Sequence, residues 1–251
     1  MSALAGSVAV VTGAAGGIGR AVSLRLAAEG AVVCMLGRKP DQLHAVLREI
    51  EEAGGRGTGY VADLAVTSEI EACAVRLSVD VGPVDILIHA AGTVALGRVT
   101  DTSVEDWDRQ YAVNVRATHA LTRALLPGLT IRHGQIVFMN STVGLVARGG
   151  IGAYAASKHA LKAYADTLRA EVNPEGVRVL SIFLGRTATP MQAEVHRLEA
   201  RPYRPDTLIQ PDDVASIVVA MLTLSPTVEV TDIQVRPLRK PIDALGSGPN
   251  V

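Results

Sequence analysis

Short apolar runs alternate with helix-like segments along nearly the whole chain, and this order restricts the fold more than any other feature. Seven runs are predicted to be strands, from Val8 to Val11 at the start to Val228 to Val235 at the end. The segments between them, such as Trp107 to Leu126, have helical periodicity. Such alternation forms right-handed βαβ units around a parallel sheet. The sequence therefore predicts an α/β fold with one doubly wound parallel sheet of about seven strands and helices on both faces.

The composition suits this fold, because 48% of the residues are hydrophobic and most of these are Ala, Val and Leu. We find no repeat and no convincing linker, so residues 1–239 are expected to form one domain. Residues 187–210 contain three prolines and mixed charge, and they are expected to be irregular. Residues 240–251 are rich in Gly, Pro, Ser and Asn and are expected to be a flexible C-terminal tail.

Charge and cysteine content argue against several classes of function. The net charge is −1 and there is no basic stripe with interleaved aromatic residues, so we expect no nucleic-acid partner. Cys34 and Cys73 form no CxxC pair, which argues against a metal site and a disulfide framework. The N-terminus resembles no signal peptide, and the apolar run Val214 to Leu224 is too short to span a bilayer. We therefore expect a cytoplasmic protein without a membrane partner.

A glycine cluster follows the first strand directly and opens the first helix, as Thr12-Gly13-Ala14-Ala15-Gly16-Gly17-Ile18-Gly19. Glycines permit a tight turn and let a pyrophosphate approach the backbone, while the helix N-terminus faces the phosphates. An ordinary glycine-rich loop is the alternative interpretation. The position between strand and helix favours dinucleotide binding on a Rossmann-type sheet, with Gly13, Gly17, Ile18 and Gly19 against the cofactor.

The end of the second strand indicates which dinucleotide is bound. An acidic residue there would bind the ribose 2′-hydroxyl, whereas an arginine accommodates a 2′-phosphate. The chain reads Leu36-Gly37-Arg38-Lys39 and has no carboxylate at this point. We therefore predict NADP(H), with NAD(H) as the alternative if Arg38 is only a solvated surface charge.

Tyr154 and Lys158 lie four residues apart in an Ala-rich helical pattern, so both project from one helix face. An ammonium beside a phenol is expected to lower the phenol's pKa, and such a tyrosine can exchange a proton with a substrate oxygen near neutral pH. Taken alone, the pair is more typical of a solvated helix face. The nucleotide motif upstream favours the catalytic interpretation.

At this point the chain resembles the short-chain dehydrogenase/reductase family over roughly Leu4 to Val235. The matching pieces, in chain order, are Thr12-Gly13-x-x-x-Gly17-x-Gly19, Asp63 after the third strand, Ala91-Gly92 after the fourth, Asn114 in the following helix, Ser141 after the fifth and Tyr154-x-x-x-Lys158. Each piece alone is weak, but together in this order they are very specific.

The resemblance implies a role for each matching residue. Tyr154 would be the general acid in ketone reduction and the base in alcohol oxidation, with Lys158 bonded to the nicotinamide ribose. Ser141 would bond the substrate carbonyl oxygen, and Asn114 would hold a water of a proton relay. The cofactor would also contact Asp63, Leu64, Ala91, Gly92 and Thr189. Each of three residues also has a purely structural interpretation. Ser141 would cap a turn, Asn114 would be a buried amide bonded to backbone, and Asp63 would be an N-cap.

The chain departs from the family pattern at His89-Ala90-Ala91-Gly92, where asparagines are usual, and at Leu184-Gly185, where Pro-Gly is usual. His89 is interpreted as a structural histidine at the end of a strand and not as a catalytic one. Family members usually form dimers or tetramers, so the resemblance also implies a homo-oligomer.

The family builds its substrate lid in the segment that corresponds to residues 187–210. Met191, Val195 and Leu198 have helical spacing and form one apolar face. The expected remaining walls are Val94, Leu96, Val143 and Val146. These residues favour a medium-sized, largely apolar ketone or secondary alcohol as the small-molecule substrate.

Several alternatives stay open. The apolar lid residues can equally serve only to pack the lid onto the domain. Arg197, Arg201 and Arg204 are either solvated or recognise an anionic keto compound. A sugar or polyol dehydrogenase on the same scaffold and a non-catalytic nucleotide-sensing protein are the other classes.

Overall fold

The structure is a computed structural model that describes residues 3–238; the tail expected at 240–251 lies outside the described residues. Its strands are β1 (Val8–Thr12), β2 (Val32–Gly37), β3 (Arg56–Val61), β4 (Ile86–His89), β5 (Gln135–Ser141), β6 (Arg178–Leu184) and β7 (Asp232–Val235). Its α-helices are α1 (Gly17–Ala28), α2 (Pro40–Glu52), α3 (Thr67–Asp80), α4 (Val104–Tyr111), α5 (Ala117–Arg132), α6 (Gly152–Val172), α7 (Pro190–Leu198) and α8 (Pro211–Leu222).

All seven strands are parallel and form one sheet in the order β3-β2-β1-β4-β5-β6-β7. The predicted doubly wound parallel sheet is therefore confirmed. The chain reverses its direction of winding between β1 and β4, and a crevice opens there at the carboxyl ends of the strands. Ligand sites in such sheets lie at this edge.

Two hydrophobic clusters cover the two faces of the sheet. Val11, Val33 and Met35 point to one face and pack there with α1, α2 and α8. Val10 and Cys34 point to the other face and pack there with α3, α5 and α6. Because both faces are buried, the central strands β1, β2 and β4 are nearly continuous apolar runs. The edge strands β3 and β7 instead alternate between more and less exposed positions.

The single helix predicted over Trp107 to Leu126 is wrong in two respects. It is interrupted by a π-helical turn, Ala112–Arg116, between α4 and α5. It also continues past Pro127 to Arg132, since one missing backbone donor does not end a helix that is packed along its length. Wide turns of this kind inside helices often mark functional sites.

The last strand is also shorter than the predicted Val228 to Val235, and only Asp232–Val235 pairs with the sheet. The side chain of Glu229 explains the difference. Its Oε1 accepts a hydrogen bond from the Val179 backbone nitrogen at 3.0 Å, so a carboxylate takes the place of a strand partner at that point.

Candidate active site

The glycine loop between β1 and α1 has no room for a side chain at Gly13 or Gly19. A Cβ on Gly13 would lie 2.8 Å from the Ala91 Cα, and one on Gly19 would lie 2.3 Å from the Gly13 carbonyl oxygen. Gly13 also has a φ of +67°, which L-residues with side chains rarely adopt. Gly13 is therefore packed between the start of α1 and the turn that follows β4.

This loop fits a dinucleotide. The N-terminus of α1 begins at Gly17 with no side-chain cap, so its free N–H groups and positive dipole end are available to a pyrophosphate. A Cβ on Gly17 would lie 3.2 Å from the Thr189 Cγ2, which places Thr189 against the glycine loop as the family pattern implies. Ile18 is partly buried and packs against the core.

Thr12 joins the loop to the neighbouring strand, and the sequence analysis gave it no role of its own. Its hydroxyl oxygen accepts hydrogen bonds from the backbone nitrogens of Ala90 and Ala91, both at 3.1 Å. Its position at the end of β1, directly before the first glycine, is the signal that identifies it. The hydroxyl fixes the Ala90–Ala91 turn although the usual asparagines are absent there.

Asn114 lies in the π-helical turn and is buried. Its Oδ1 accepts from the Thr93 nitrogen at 2.8 Å, and its Nδ2 donates to the Thr93 oxygen and to the Ser157 Oγ, both at 3.0 Å. The side chain is therefore a buried amide bonded largely to backbone, which agrees with the structural interpretation given in the sequence analysis. Its role in a proton relay stays a prediction.

Gly92 opens space between Asn114 and the candidate catalytic lysine. A Cβ on Gly92 would lie 3.4 Å from the Asn114 Oδ1 and 3.9 Å from the Lys158 Nζ. The structure therefore brings together Gly92, Asn114 and Lys158 from β4, the π-helical turn and α6. Ser157, one residue before the lysine, completes the link because its hydroxyl donates to the Tyr154 carbonyl oxygen at 2.8 Å.

Ser141 ends β5 and faces Tyr154 of α6. Burial raises the pKa of the Tyr154 phenol, and a hydrogen bond with Ser141 lowers it by less. The hydroxyl of Ser141 also accepts weakly from the Val143 nitrogen at 3.4 Å, so it caps a turn as well. The serine and the phenol are thus neighbours, as the family pattern requires.

Lys158 is buried, and its Nζ donates to the Met139 carbonyl oxygen at 3.0 Å. The Nζ lies 5.8 Å from the centroid of the Tyr154 ring. Burial lowers the pKa of this amine to about 8. The expected lowering of the Tyr154 pKa is not found, because burial of the phenol outweighs its neighbours. The phenol consequently keeps its proton at neutral pH.

Asn140 is a residue that the sequence analysis missed. Its Nδ2 donates to the Lys158 carbonyl oxygen at 3.2 Å, and its Oδ1 accepts from the Ser141 nitrogen at 2.7 Å. It therefore ties the end of β5 to the middle of α6. The only signal in the sequence is its position beside Ser141.

An open cleft of about 410 Å³ lies at the ends of β2 and β3. It is lined by Arg38, Asp63, Ala65, Asp108, Arg109, Ala112, Val113 and Arg116. Arg38 and Asp63 are thus brought together as predicted, whereas Leu64 is buried in the core. The Oδ1 of Asp63 accepts from the Ala65 nitrogen at 2.9 Å, which is a local turn bond. The N-cap of α3 is Val66, so the N-cap alternative for Asp63 is wrong.

The far wall of this cleft was missed because it comes from α4 and the π-helical turn, which are distant in sequence from β2. Arg116 reaches across, and its Nη2 donates to the Ala65 oxygen at 2.7 Å. This bond holds the chain that follows Asp63 in place.

His89 is structural, as expected. Its Nε2 lies 2.8 Å from the Thr122 Oγ1, and its ring stacks on Phe138 with centroids 5.1 Å apart. Burial lowers the pKa of the imidazole to about 3, so the ring is neutral at physiological pH.

The predicted substrate walls differ in exposure. Val94, Leu96 and Val143 are partly buried, whereas Val146 is 74% exposed. On α7, Val195 is buried but Met191 and Leu198 are 41% and 50% exposed. The three α7 residues therefore do not form one continuous packed face. Val195 and the neighbouring His196 are the buried residues of this helix.

Two of the three arginines predicted in the lid segment form ion pairs. Arg197 binds Glu194 on the exposed side of α7 at 2.5 Å, and Arg201 lies 3.9 Å from Glu199. Among residues 3–238, no group of three or more His, Cys, Asp or Glu side chains is arranged to hold a metal ion. No helix in the described part of the chain is long and apolar enough to cross a bilayer.

Comparison with known proteins agrees with this geometry. A family model described as short chain dehydrogenase matches residues 7–200. Glycine betaine reductase ATRR of Emericella nidulans is 31% identical over 245 residues, which are 95% of this chain and 19% of that protein. The chain thus spans about a fifth of that relative's length.

Two solved structures show the same fold with a cofactor bound. A metagenomic short-chain oxidoreductase in complex with NADP has a TM-score of 0.83 and 31% identity, covering 95% of this chain and 100% of that one. A variant of actinorhodin polyketide ketoreductase with NADPH has a TM-score of 0.85 and 28% identity, covering 92% and 96%. With a family model that matches well over half of its length, the chain belongs to the short-chain dehydrogenase/reductase family and is an oxidoreductase.

Proposed function

We propose that the protein is an NADP(H)-dependent oxidoreductase that transfers a hydride between nicotinamide and a ketone or secondary alcohol. The observation that carries the proposal is the meeting of Ser141, Tyr154 and Lys158. A protonated phenol faces a serine hydroxyl, and a buried amine lies 5.8 Å from the phenol ring. This is the arrangement that proton transfer to a carbonyl oxygen requires.

The choice of cofactor rests on both ends of the crevice. The glycine loop leaves a cradle that a Cβ would fill, and the uncapped start of α1 suits a pyrophosphate. Arg38 lines the cleft at the end of β2, where an NAD-binding chain would carry a carboxylate. The similar structures that hold NADP or NADPH agree with this choice. NAD(H) is the alternative.

Bound NADP(H) would supply a hydride to a carbonyl carbon or accept one from a carbinol carbon. In the direction of reduction, the Tyr154 hydroxyl gives its proton to the substrate oxygen as negative charge develops there. Ser141 donates a hydrogen bond to the same oxygen, and such donors stabilise the transition state more than the ground state. The ammonium of Lys158 then stabilises the phenolate. In oxidation the proton moves the opposite way.

We propose a medium-sized, largely apolar substrate, because Val94, Leu96 and Val143 are the partly buried apolar residues of the expected walls. Met191 and Val146 are exposed, so they are available to a substrate only at the mouth of the site. Arg148, in the loop of residues 145–151, and Arg186, after β6, both reach Glu199 at the end of α7. These two arginines beside the lid favour an anionic keto compound as a second candidate.

The remaining proposals concern the domain organisation, the oligomeric state and the cellular location. We propose one domain over residues 1–239 with residues 187–210 as its lid. A homo-oligomer is supported by Trp107 and Tyr111, two exposed aromatic side chains on α4. A cytoplasmic location is supported by Cys34 and Cys73, which are both unpaired thiols.

The test is NADPH oxidation, followed by its absorbance, with a panel of neutral ketones, matched keto acids and sugars. We expect turnover with neutral ketones such as acetophenone and faster turnover with NADPH than with NADH. Strong preference for the keto acids would replace the apolar substrate by the anionic one. Binding of NADPH without turnover of any compound in the panel would favour the nucleotide-sensing alternative.

A further inference from the structure

Glu199, directly after the lid helix α7, joins two segments that are distant in the sequence. Its Oε2 accepts from the Arg186 Nη2 at 2.6 Å, and its Oε1 accepts from the Arg148 Nη2 at 3.3 Å. Arg186 follows β6, whereas Arg148 belongs to the loop before α6. Burial alone would raise the pKa of Glu199, but the hydrogen bond and charge of Arg186 and the charge of Arg148 hold it below its usual range.

The two segments border the candidate active site. The loop of residues 145–151, here called the substrate loop, leads into α6 just before Tyr154. The lid helix begins after Thr189, which lies against the glycine loop at Gly17. The ion pair between Arg148 and Glu199 therefore spans the opening between the loop that precedes the catalytic tyrosine and the lid that covers the nicotinamide end.

The substrate loop has few other contacts that would fix its position. Residues 145–150 are all exposed, and a Cβ on Gly149 or Gly150 would meet no atom within 4 Å. Its backbone is attached at the two ends. The Leu145 and Val146 nitrogens bond to the Thr142 oxygen at 3.1 Å, and the Gly97 nitrogen bonds to the Gly150 oxygen at 2.9 Å. A loop held this loosely takes its average position from whichever side-chain contacts it makes.

The two ion pairs of Glu199, with Arg186 and with Arg148, differ in strength. The pair of Arg186 and Glu199 is about four-fifths buried, with side chains 19% and 18% exposed. Arg186 is fixed further by the His196 Nε2 at 3.1 Å, and His196 is itself buried. Arg148 is 50% exposed. Glu199 is thus held firmly on the lid side and binds the exposed substrate loop through Arg148.

We propose that Glu199 is a positioning residue that holds the substrate loop and the lid helix together over Tyr154 and so lowers the KM for the carbonyl substrate. The expected effect on the KM rests on the proposed function, whereas the ordering of the substrate loop does not depend on it. Arg148 is the partner whose ion pair with Glu199 connects the substrate loop to the lid helix.

The kinetic experiment compares Arg148→Ala, Arg148→Lys and the matched control Arg197→Ala, which breaks a pair with Glu194 on the outer side of the same helix. With NADPH and acetophenone, we expect Arg148→Ala to raise the KM for the ketone about fivefold, the upper range for a partly exposed ion pair. The kcat and the KM for NADPH stay within about twofold. Arg148→Lys restores the KM, and Arg197→Ala leaves it unchanged.

Amide hydrogen exchange of the cofactor-free protein provides a readout that needs no turnover. We expect faster exchange over residues 145–151 in Arg148→Ala and in Glu199→Gln, and unchanged exchange in Arg197→Ala. If wild-type protein reduces no ketone, the proposed function fails. The exchange result still decides whether the ion pair between Arg148 and Glu199 orders the substrate loop.

Three results would overturn the proposal. The first is exchange in Arg148→Ala equal to that of wild type. The second is faster exchange with an unchanged KM for the ketone. The third is a KM increase confined to keto acids, which would make Arg148 a direct ligand of a substrate anion.

Discussion

The glycine loop and the substrate mouth lie at neighbouring points of one crevice, yet they are built in opposite ways. At the glycine loop the backbone itself makes the contacts, and Gly13 and Gly19 have no space for even one extra carbon. At the mouth the backbone is exposed, and side-chain pairs such as Arg148 with Glu199 set the spacing. The first region is fixed by steric exclusion and the second by charge.

This difference matters for function. A rigid backbone cradle suits a cofactor that is the same for all members of a family, since its phosphates need only N–H groups and space. An exposed loop and lid held by ion pairs are easily altered without disturbing the fold. The nucleotide end therefore indicates the reaction, whereas the mouth determines the substrate.

The largest expected effect separates chemistry from binding. Tyr154→Phe removes the proton donor, and we expect kcat/KM for ketone reduction to fall by about a thousandfold or more, at the upper end of acid catalysis. The dissociation constant for NADPH, measured by fluorescence titration, stays within about twofold because the glycine loop is untouched. Tyr111→Phe, a partly exposed tyrosine on α4, is the control. Residual turnover near the wild-type value would exclude Tyr154 as the acid.

The next effect sharpens the contrast between the two regions. Gly19→Ala places a Cβ 2.3 Å from the Gly13 carbonyl oxygen, so the loop must shift. We expect a loss of about 1–3 kcal/mol in the free energy of unfolding and markedly weaker NADPH binding. Gly149→Ala in the substrate loop meets no atom within 4 Å and should change stability by less than about 0.5 kcal/mol. Thermal unfolding checks both, and similar losses would contradict the contrast.

Substitution of Arg38 tests whether a positive charge at the nucleotide end selects the cofactor. Arg38→Ala removes the guanidinium proposed to meet the 2′-phosphate, and we expect the KM for NADPH to rise at least about tenfold, as for loss of a hydrogen bond to a charged group. The KM for NADH should hardly change. Arg48→Ala, on the exposed side of α2, is the matched control. A preference for NADPH that survives in Arg38→Ala would remove this residue from the account.

The smallest effect is a pH dependence of the chemical step, at the point where the two regions meet. Burial lowers the pKa of Lys158 to about 8, so the amine is charged below that pH and neutral above it. Because the ammonium stabilises the Tyr154 phenolate, kcat/KM for reduction should fall severalfold as the pH rises through about 8. The measurement is a pH profile at saturating NADPH, with NADPH binding recorded at each pH as the control. A profile flat well above that pH would mean that Lys158 is not linked to the rate.

Much of the fold could be predicted because its signals are local. The apolar runs of β1, β2 and β4 are buried on both faces, so their sequence needs no information from distant residues. The glycine loop was predictable for the same reason. The π-helical turn at Ala112–Arg116 was not, because an extra residue in a helical turn leaves the hydrophobic periodicity almost unchanged.

The site was predicted only in part, since some of its bonds depend on pairs far apart in the chain. Asn140 bonds to the backbone of Lys158, and Arg116 bonds to that of Ala65; neither bond has a sequence pattern. The pKa of Tyr154 was expected to fall, yet burial raises it, because the sequence shows a neighbouring charge but not the depth of the phenol.

The central claim is hydride transfer from the cofactor to a carbonyl carbon beside Tyr154, and isotope labelling tests it most directly. NADPH deuterated at the reactive ring carbon is incubated with the wild-type enzyme and acetophenone, and the alcohol is analysed by mass spectrometry. The account predicts one deuterium at the carbinol carbon of each product molecule when the labelled face is the one used, and none with the opposite label. Oxidation of NADPH with no label in the product from either form would contradict it.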